Sequence, residues 1–456
     1  YNGSASDSET DSKAKTVAIG AAGGTSQFAG SGSVTVNVIN QKTDATIEKG
    51  NYDARNGKVE VEATSRAKLF GMAGGLALSA GSGLGAAVDV QTYTGHTYAG
   101  LADGVKLSNA SAVNVNAASE EKMTSVAATL AGGAGSFAGA GAAGAHSITT
   151  DTKAYIGEEG KTEKAELENA GNISVTASDD TSLTTAAGSG AVSGNTGVGL
   201  TAAVEVVNKT VNAYVGNNAS ISGNKLDVNA KNTSHSTTAA AGLGGGGTAG
   251  IAGAASEIFV NHSTNAYVGN NAKVKVKEGA TIESTSSFQQ GAGAGGMAAA
   301  GTVAAGLANS TVSLNANTSA YVGQGASVAG GKKVQIKAEH KTDLTYATIA
   351  GGVAGTAAAD GTVGVNVLHT TTKAYAGNGA TLSADEANES NTEEGISITA
   401  SDATDLHGGN GGVAIGVFGG GARGSVAVSN ITKDTEAYVD DNAKLDSKGQ
   451  ITLNAK

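Results

Sequence analysis

The sequence predicts an all-β chain, a parallel β-solenoid (β-helix) of eight tandem repeats of about 52–63 residues. Three observations carry this expectation. A short tyrosine motif returns at a nearly constant interval, strict apolar–polar alternation follows it each time, and Pro is absent from all 456 residues. Average usage would give roughly 23 prolines. Pro removes a ladder donor and survives mainly at sheet edges, so a chain whose strands nearly all have neighbours on both sides excludes it. Disorder is the competing reading of a chain with 70 Gly. Disordered segments, however, favour Pro and lack Val and Ile alternation.

The tyrosine motif is Ala-Tyr-(Val/Ile/Ala)-Gly. It begins at Ala154, Ala213, Ala266, Ala320 and Ala374. Thr97-Tyr98-Ala99-Gly100 and Ala437-Tyr438-Val439-Asp440 are variants, and Ala45-Thr46-Ile47-Glu48 is the most degraded copy. Successive spacings of the Tyr position are 52, 57, 59, 53, 54, 54 and 63. Five copies place Ala five residues after Tyr, as Ala219, Ala272, Ala326, Ala380 and Ala443. Stacked repeats put like on like. The expected ladders are therefore Tyr98, Tyr155, Tyr214, Tyr267, Tyr321, Tyr375 and Tyr438, with those five alanines as a second column.

A second block, apolar-x-apolar-x-Ala, follows each tyrosine motif. Val59 to Ala63, Ile173 to Ala177 and Val334 to Ala338 are examples, and the fifth copy is looser, with Val274-Lys275-Val276 and then Thr281-Ile282-Glu283. Such alternation marks a half-buried strand. A third block precedes each tyrosine. It is rich in Gly and Ala and ends in alternating Val, as in Ile349 to Leu368. It reads as two strands joined by a Gly-rich turn, with small residues letting two sheets pack closely.

Each repeat thus carries about four strand-like blocks. The repeats are assigned as 15–65, 66–121, 122–179, 180–232, 233–285, 286–340, 341–402 and 403–456, with 1–14 as the tail of a preceding repeat. Two windings fit this period. One repeat is one large flattened coil, or it is two or three coils of roughly 18 to 28 residues. The four blocks differ too much to stack well on each other, which favours one coil. Inserts at Glu158 to Lys164 and Ala384 to Glu394 fall between the tyrosine motif and the alternating strand. That junction is expected to be a solvent-facing corner. The ends stop in repeat phase, so the array is expected to continue beyond them or to join end to end between molecules.

With 29 basic and 40 acidic residues, the net charge is −11. No basic cluster suits nucleic acid. No apolar run is suited to a transmembrane helix. The chain has no Cys, which fits an exported surface protein among others.

The order of alternating strand, Gly/Ala block, Val-Asn-Val strand and Thr-x-Ala-Tyr-Val-Gly-x-x-Ala has a likeness among known proteins. It resembles the repeats of giant bacterial surface adhesins, the filamentous-haemagglutinin-like and leukotoxin-family filamentous adhesins. The segment from Val363 to Ala380 carries it most closely, and it spans about residues 15 to 456. The resemblance implies an extracellular β-solenoid shaft exported by two-partner or related type V secretion. It implies no catalytic or ligand-binding residues.

The candidate chemistry is sparse. The seven His are His96, His146, His235, His262, His340, His369 and His407. Relative to Tyr, His96 is at −2, His262 at −5 and His369 at −6. No HExxH or paired spacing suits zinc, and solvent-facing positions are expected. Gly291 to Gly296 spells GxGxxG, but at this Gly frequency the string carries no weight. The run Gly244 to Gly247 reads as a turn. Weak calcium candidates are Asp440, Asp441 and Asp446 with Asn442, and the insert near Asp385; a solvated acidic corner is the plainer reading. The tyrosines could form a carbohydrate platform, though a structural ladder fits better. No enzyme is expected, and no cofactor beyond that calcium.

The function expected is a structural shaft of an extracellular filament or adhesin on the bacterial surface. Its partners are further copies of the repeat, in a longer chain or end to end, and host or bacterial surface ligands. Alternatives are a carbohydrate-active β-helix enzyme of the polysaccharide-lyase kind and an ice-binding protein, for which Thr370-Thr371-Thr372 is the suggestive segment. Thr does not hold one phase across repeats.

Overall fold

The structure, a computed structural model, describes residues 5–25, 27–158, 163–388, 391 and 394–456. Its strands pair in parallel, and no helix occurs among the described residues. One coil runs through three strands. In the second coil these are Lys58–Ser79 in sheet 1, Ser82–Leu101 in sheet 2, and the short Val105–Ser108 back in sheet 1. Each strand pairs with its own counterpart in the next coil, so one sequence repeat is one coil. Sheet 2 contains eight such strands, from Phe28–Ile47 to Gly421–Val439; coils are numbered here by them.

Four sequence blocks become two long strands, and the short third strand lies between the tyrosine motif and the next alternating block. The alternating block and the first arm of the Gly/Ala block are one continuous 22-residue strand in Lys58–Ser79. The second arm and the tyrosine motif are likewise one strand of 20 residues in Ser82–Leu101. Nothing between the blocks breaks a strand. The sequence only loses its apolar alternation there, because the interior itself turns polar at that depth. The repeat boundary at 65/66 therefore falls inside a strand. The looser fifth copy also resolves. Val274 continues the short-strand column of Ile221 and Val328, whereas Ile282 takes the alternating position beside Val228 and Ile336.

The cross-section tapers from one edge to the other. At the corner edge three strands enclose a core of Val, Ile, Leu and Ala. Each column is apolar along the axis; Val115, Val175, Val228, Ile282, Ile336 and Ile398 form one. Removing such a side chain typically costs 2–5 kcal/mol. Midway, single larger residues such as Leu183, Ile258 and Phe288 fill the space. Further in, both sheets present alanines, among them Ala127, Ala203, Ala254 and Ala308.

At the hairpin edge the two backbones meet through glycine. A Cβ at Gly199 would lie 2.0 Å from the Leu243 carbonyl oxygen, and one at Gly296 would lie 2.1 Å from that of Leu307. Here Gly is required by close approach, not by its dihedral freedom. The hairpin is only two residues long in several coils. Gly247-Thr248 turns the fifth, so most of the Gly244 to Gly247 run is strand rather than turn. These turns also stack, with the Thr302 N–H donating to the Thr248 carbonyl at 3.2 Å and the Thr356 N–H to that of Thr302 at 3.1 Å.

The insert residues 159–162, 389–390 and 392–393 lie outside the described residues, so the expected corner inserts are seen only at their flanks.

The taper makes a paired prediction. Gly199→Ala forces the sheets apart and lowers the urea midpoint. Gly141→Ala, where a Cβ meets nothing within 4 Å, is neutral or stabilising by about 0.5–1 kcal/mol. Equal behaviour of the two variants would contradict backbone contact across the thin edge.

Candidate functional site

The tyrosine ladder exists and is shorter than the sequence suggested. Tyr214, Tyr267, Tyr321, Tyr375 and Tyr438 stack with ring centroids 4.9 Å apart and planes within 3°. Tyr155 joins at 5.7 Å and 17°. Alternation explains the placement. Ala213 and Val215 point into the core, so Tyr214 points outward. It is still only 5% exposed, because neighbouring rings cover its faces. A sugar needs a free ring face, and in the middle of this ladder both faces are occupied.

Tyr98 is not part of the ladder. It pairs with Lys153 and Asp44, two residues out of phase, while Gly100 and Thr46 hold the tyrosine position. A shift of two keeps a side chain on the same face, so the motif letters match while the register does not. The Tyr98 hydroxyl donates to Asp151 Oδ2 at 2.5 Å, and Lys153 Nζ lies 5.0 Å from its ring centroid. Gly100 leaves room for Tyr155, whose ring would stand 2.3 Å from a Cβ there.

The alanine column caps the corner. Ala219, Ala272, Ala326 and Ala380 are fully buried, and Ala443 is partly buried. Each closes a tight turn, as when the Ala380 N–H donates to the Gly377 carbonyl at 3.0 Å. The residue before the alanine has φ between 55° and 67° in Asn218, Asn271, Gly325, Gly379 and Asn442. This left-handed region suits Asn and Gly. Side chains join the corners along the axis. Asn217 Oδ1 accepts from the Asn270 N–H at 2.7 Å, and Asn270 Oδ1 from the Gln324 N–H at 2.8 Å. Ala165 belongs to this column, since the Ser220 N–H bonds its carbonyl as Lys273 bonds that of Ala219. The insert hid it, placing it ten residues after Tyr155.

The sequence reading missed an ionic interior. Lys209 Nζ lies 2.6 Å from Asp179 Oδ1, with both side chains fully buried. Thr150 donates to Asp179 Oδ2 at 2.6 Å, and Thr152 approaches it at 3.4 Å. The same set of partners returns four coils on, with the Asp402 side chain buried and Lys433 31% exposed. Lys433 Nζ is 2.8 Å from Asp402 Oδ1, while Thr370 and Thr372 reach Asp402 Oδ2 at 2.7 and 3.3 Å. The two aspartates share one column through Asn232, Ser286 and His340. The two lysines share another through His262, Ala316 and Thr370.

Two further buried carboxylates lie nearby. Burial and the neighbouring Asp179 push Glu121 well above the usual carboxylate range, and Thr181 donates to it at 2.8 Å. Burial would raise Glu205 as well. The imidazole of His146, its Nδ1 3.8 Å away, with donation from Ser236 and Thr185, outweighs it and leaves Glu205 below its ordinary value.

Three of the histidines expected in solvent are therefore inside: His146, His262 and His340. The other four, His96, His235, His369 and His407, lie on outward faces. Burial pushes His262 well below its usual value, with Lys209 and His340 adding to the effect, and burial lowers His340 to about 4.

The calcium candidates do not converge. Asp440 Oδ1 accepts the Asp441 N–H at 2.8 Å, and Asp446 sits in the short strand Lys444–Ser447 opposite Ser383. Among the described residues, no group of three His, Asp or Glu is placed to hold a metal. Gly291 to Gly296 lies in the middle of the strand Lys273–Ala300, so the string GxGxxG forms no phosphate loop. In Thr370-Thr371-Thr372 the outer two face inward to Asp402, leaving Thr371 on the surface. Compared with protein-family models, curated proteins and solved structures, the chain matches none.

Two predictions follow from these columns. Tyr267→Ala removes two ring contacts and should cost about 3 kcal/mol, whereas Tyr267→Phe should cost far less; urea denaturation measures both. An equal loss in the two variants would assign the stability to the hydroxyl instead. His340 is lowered in the fold, so the unfolded chain binds the extra proton. Stability it contributes is present above pH about 6.5 and is lost as pH falls toward 4, on the order of 3 kcal/mol. Glu121, raised in the fold, acts in the opposite sense as pH climbs past the ordinary carboxylate value. His340→Gln should flatten the acid limb of the stability curve, and an unchanged limb would remove His340 as its cause.

Proposed function

We propose that this chain is the shaft of an extracellular bacterial filament or surface adhesin, exported by a type V route and mediating attachment or assembly. One observation carries the reading. Backbone hydrogen bonds join every coil to the next in both sheets, over eight coils of sheet 2. At about 4.8 Å per coil these coils rise roughly 38 Å along the stacking axis, across which each 20-residue strand spans roughly 66 Å; the unit is one short length of a stack that grows coil by coil. Such a stack lengthens by adding coils without changing its cross-section, as a projecting shaft requires. The side chains that distinguish coils serve the stacking itself, in the tyrosine ladder, the corner asparagines and the buried ion pairs. Its partners are further copies of the repeat, in one chain or end to end, with surface ligands at the tip or flank.

Immunogold electron microscopy of the native cells, with antibody to this chain, tests the reading. Label on straight projections outside the cell is the expected result. Label confined to the cell interior would end it.

A further inference from the structure

The outward face of sheet 1 along its glycine- and alanine-rich half lacks the polar residues usual on a solvent-facing sheet. Four outward columns begin at Val17, Ile19, Ala21 and Gly23, continue through Met72, Gly74, Leu76 and Leu78, and run through eight coils, giving 32 positions. Every one of them is Gly, Ala, Val, Ile, Leu or Met. The large ones are open to solvent, with Leu130 at 59%, Val192 at 67%, Met297 at 57% and Ile349 at 59% exposure. The inward side of the same strands is mostly Ala and Gly, with a few hydroxyls among them. Thr129 donates to the Gly141 carbonyl at 2.9 Å, and Ser189 is 2.8 Å from Thr201. A sheet facing only water would carry polar residues on that outer side.

We propose that this face packs back to back against the same face of a second copy of the chain. Its size fits. Eight coils at about 4.8 Å by eight residues at about 3.3 Å give roughly 1,000 Å², against about 800 Å² per partner in a standard stable interface. Its relief fits as well. Leu78 and Leu130 lean over the glycines of the next coil, reaching within 2.7 Å and 2.8 Å of where a Cβ at Gly132 and Gly190 would sit. The leucines thereby level the hollows and leave a smooth apolar surface.

Charge selects the partner. The chain carries −11, none of it on these 32 positions, so two copies meet here without like charges facing each other. The same net charge disfavours an anionic lipid surface as the occupant. The outer side of sheet 2 near the hairpin is also apolar, exposing Leu84, Leu200, Ile251 and Leu307, but Asn309 and Glu257 break its columns, so the uninterrupted face is that of sheet 1. The inference does not depend on where the protein resides.

Sedimentation of the whole chain over a range of concentrations tests it. The wild type should associate to a dimer. The double variant Leu243→Lys/Met297→Lys should weaken association at least tenfold with its β-sheet circular dichroism intact, while Asn261→Lys, on the outer side of sheet 2 in the polar column of Asn208 and Asn315, should leave association unchanged. The chain has no cysteine. Single cysteines at Leu130, Leu243 and Val353 should therefore form disulfide-linked dimers under mild oxidation, and one at Asn261 should not. This second measurement decides the matter if the lysine variant fails to fold. A wild type monomeric at every concentration, or a dimer indifferent to the lysines and linked through Asn261→Cys, would overturn the proposal. So would a monomer that instead co-sediments with neutral phosphatidylcholine vesicles.

Discussion

The axial hydrogen-bond ladder between successive coils governs everything else in this structure. In a parallel pair without register shift, each residue sits about 4.8 Å from its counterpart one coil away. A side chain at any phase must therefore tolerate its own kind above and below. Tyrosine does so by offset stacking, asparagine by passing its side-chain carbonyl to the next backbone N–H, and alanine by occupying little space. Charges do so only when alternated or paired, and Lys337 accordingly sits 3.0 Å from Glu283 of the coil before it.

The ladder fixes the long axis but leaves the cross-section to side-chain volume. Branched aliphatics hold the sheets apart at the corner edge, alanine lets them converge, and glycine brings backbone against backbone at the hairpin. This gradient explains how a chain with only 4% aromatic residues supports a core. The interior is narrow, and small residues fill a narrow interior to normal density. Polar side chains also enter it midway, where the gap suits Thr, Ser, Asn and His; some pair, as Thr185 does with Glu205 at 2.7 Å, while the side chains of Asn232 and His262 have no hydrogen-bond partner there.

The period was legible in the sequence because stacking demands like residues at like phase, and so were the alternating blocks, the glycine-mediated approach and the corner alanines. Tyr98 misled because a two-residue offset preserves the face, so letters alone could not place it against Gly100. The merging of blocks into long strands was hidden by the polar interior, where alternation appears to stop. The buried histidines were accessible through parity. Tyr points outward, so an odd offset points inward, and His262 at −5 is buried while His369 at −6 is not. The Asp–Lys clusters needed one step more. Their members lie about 30 residues apart along the chain and meet only because the coil folds sheet 2 over sheet 1.

Those clusters bear on a hazard that any repetitive chain faces while it folds. Coils this similar can dock on the wrong neighbour and still form most of their hydrogen bonds, since the backbone cannot count. Asp179 with Lys209, and Asp402 with Lys433, are not repeated in every coil. A strand docked one coil out of place would set a lysine against Ser119 or Asn232 and leave a dry, unmatched charge costing several kcal/mol. The paired ions thus act as address marks spaced along the stack, penalising a miscounted assembly before further coils are laid upon it.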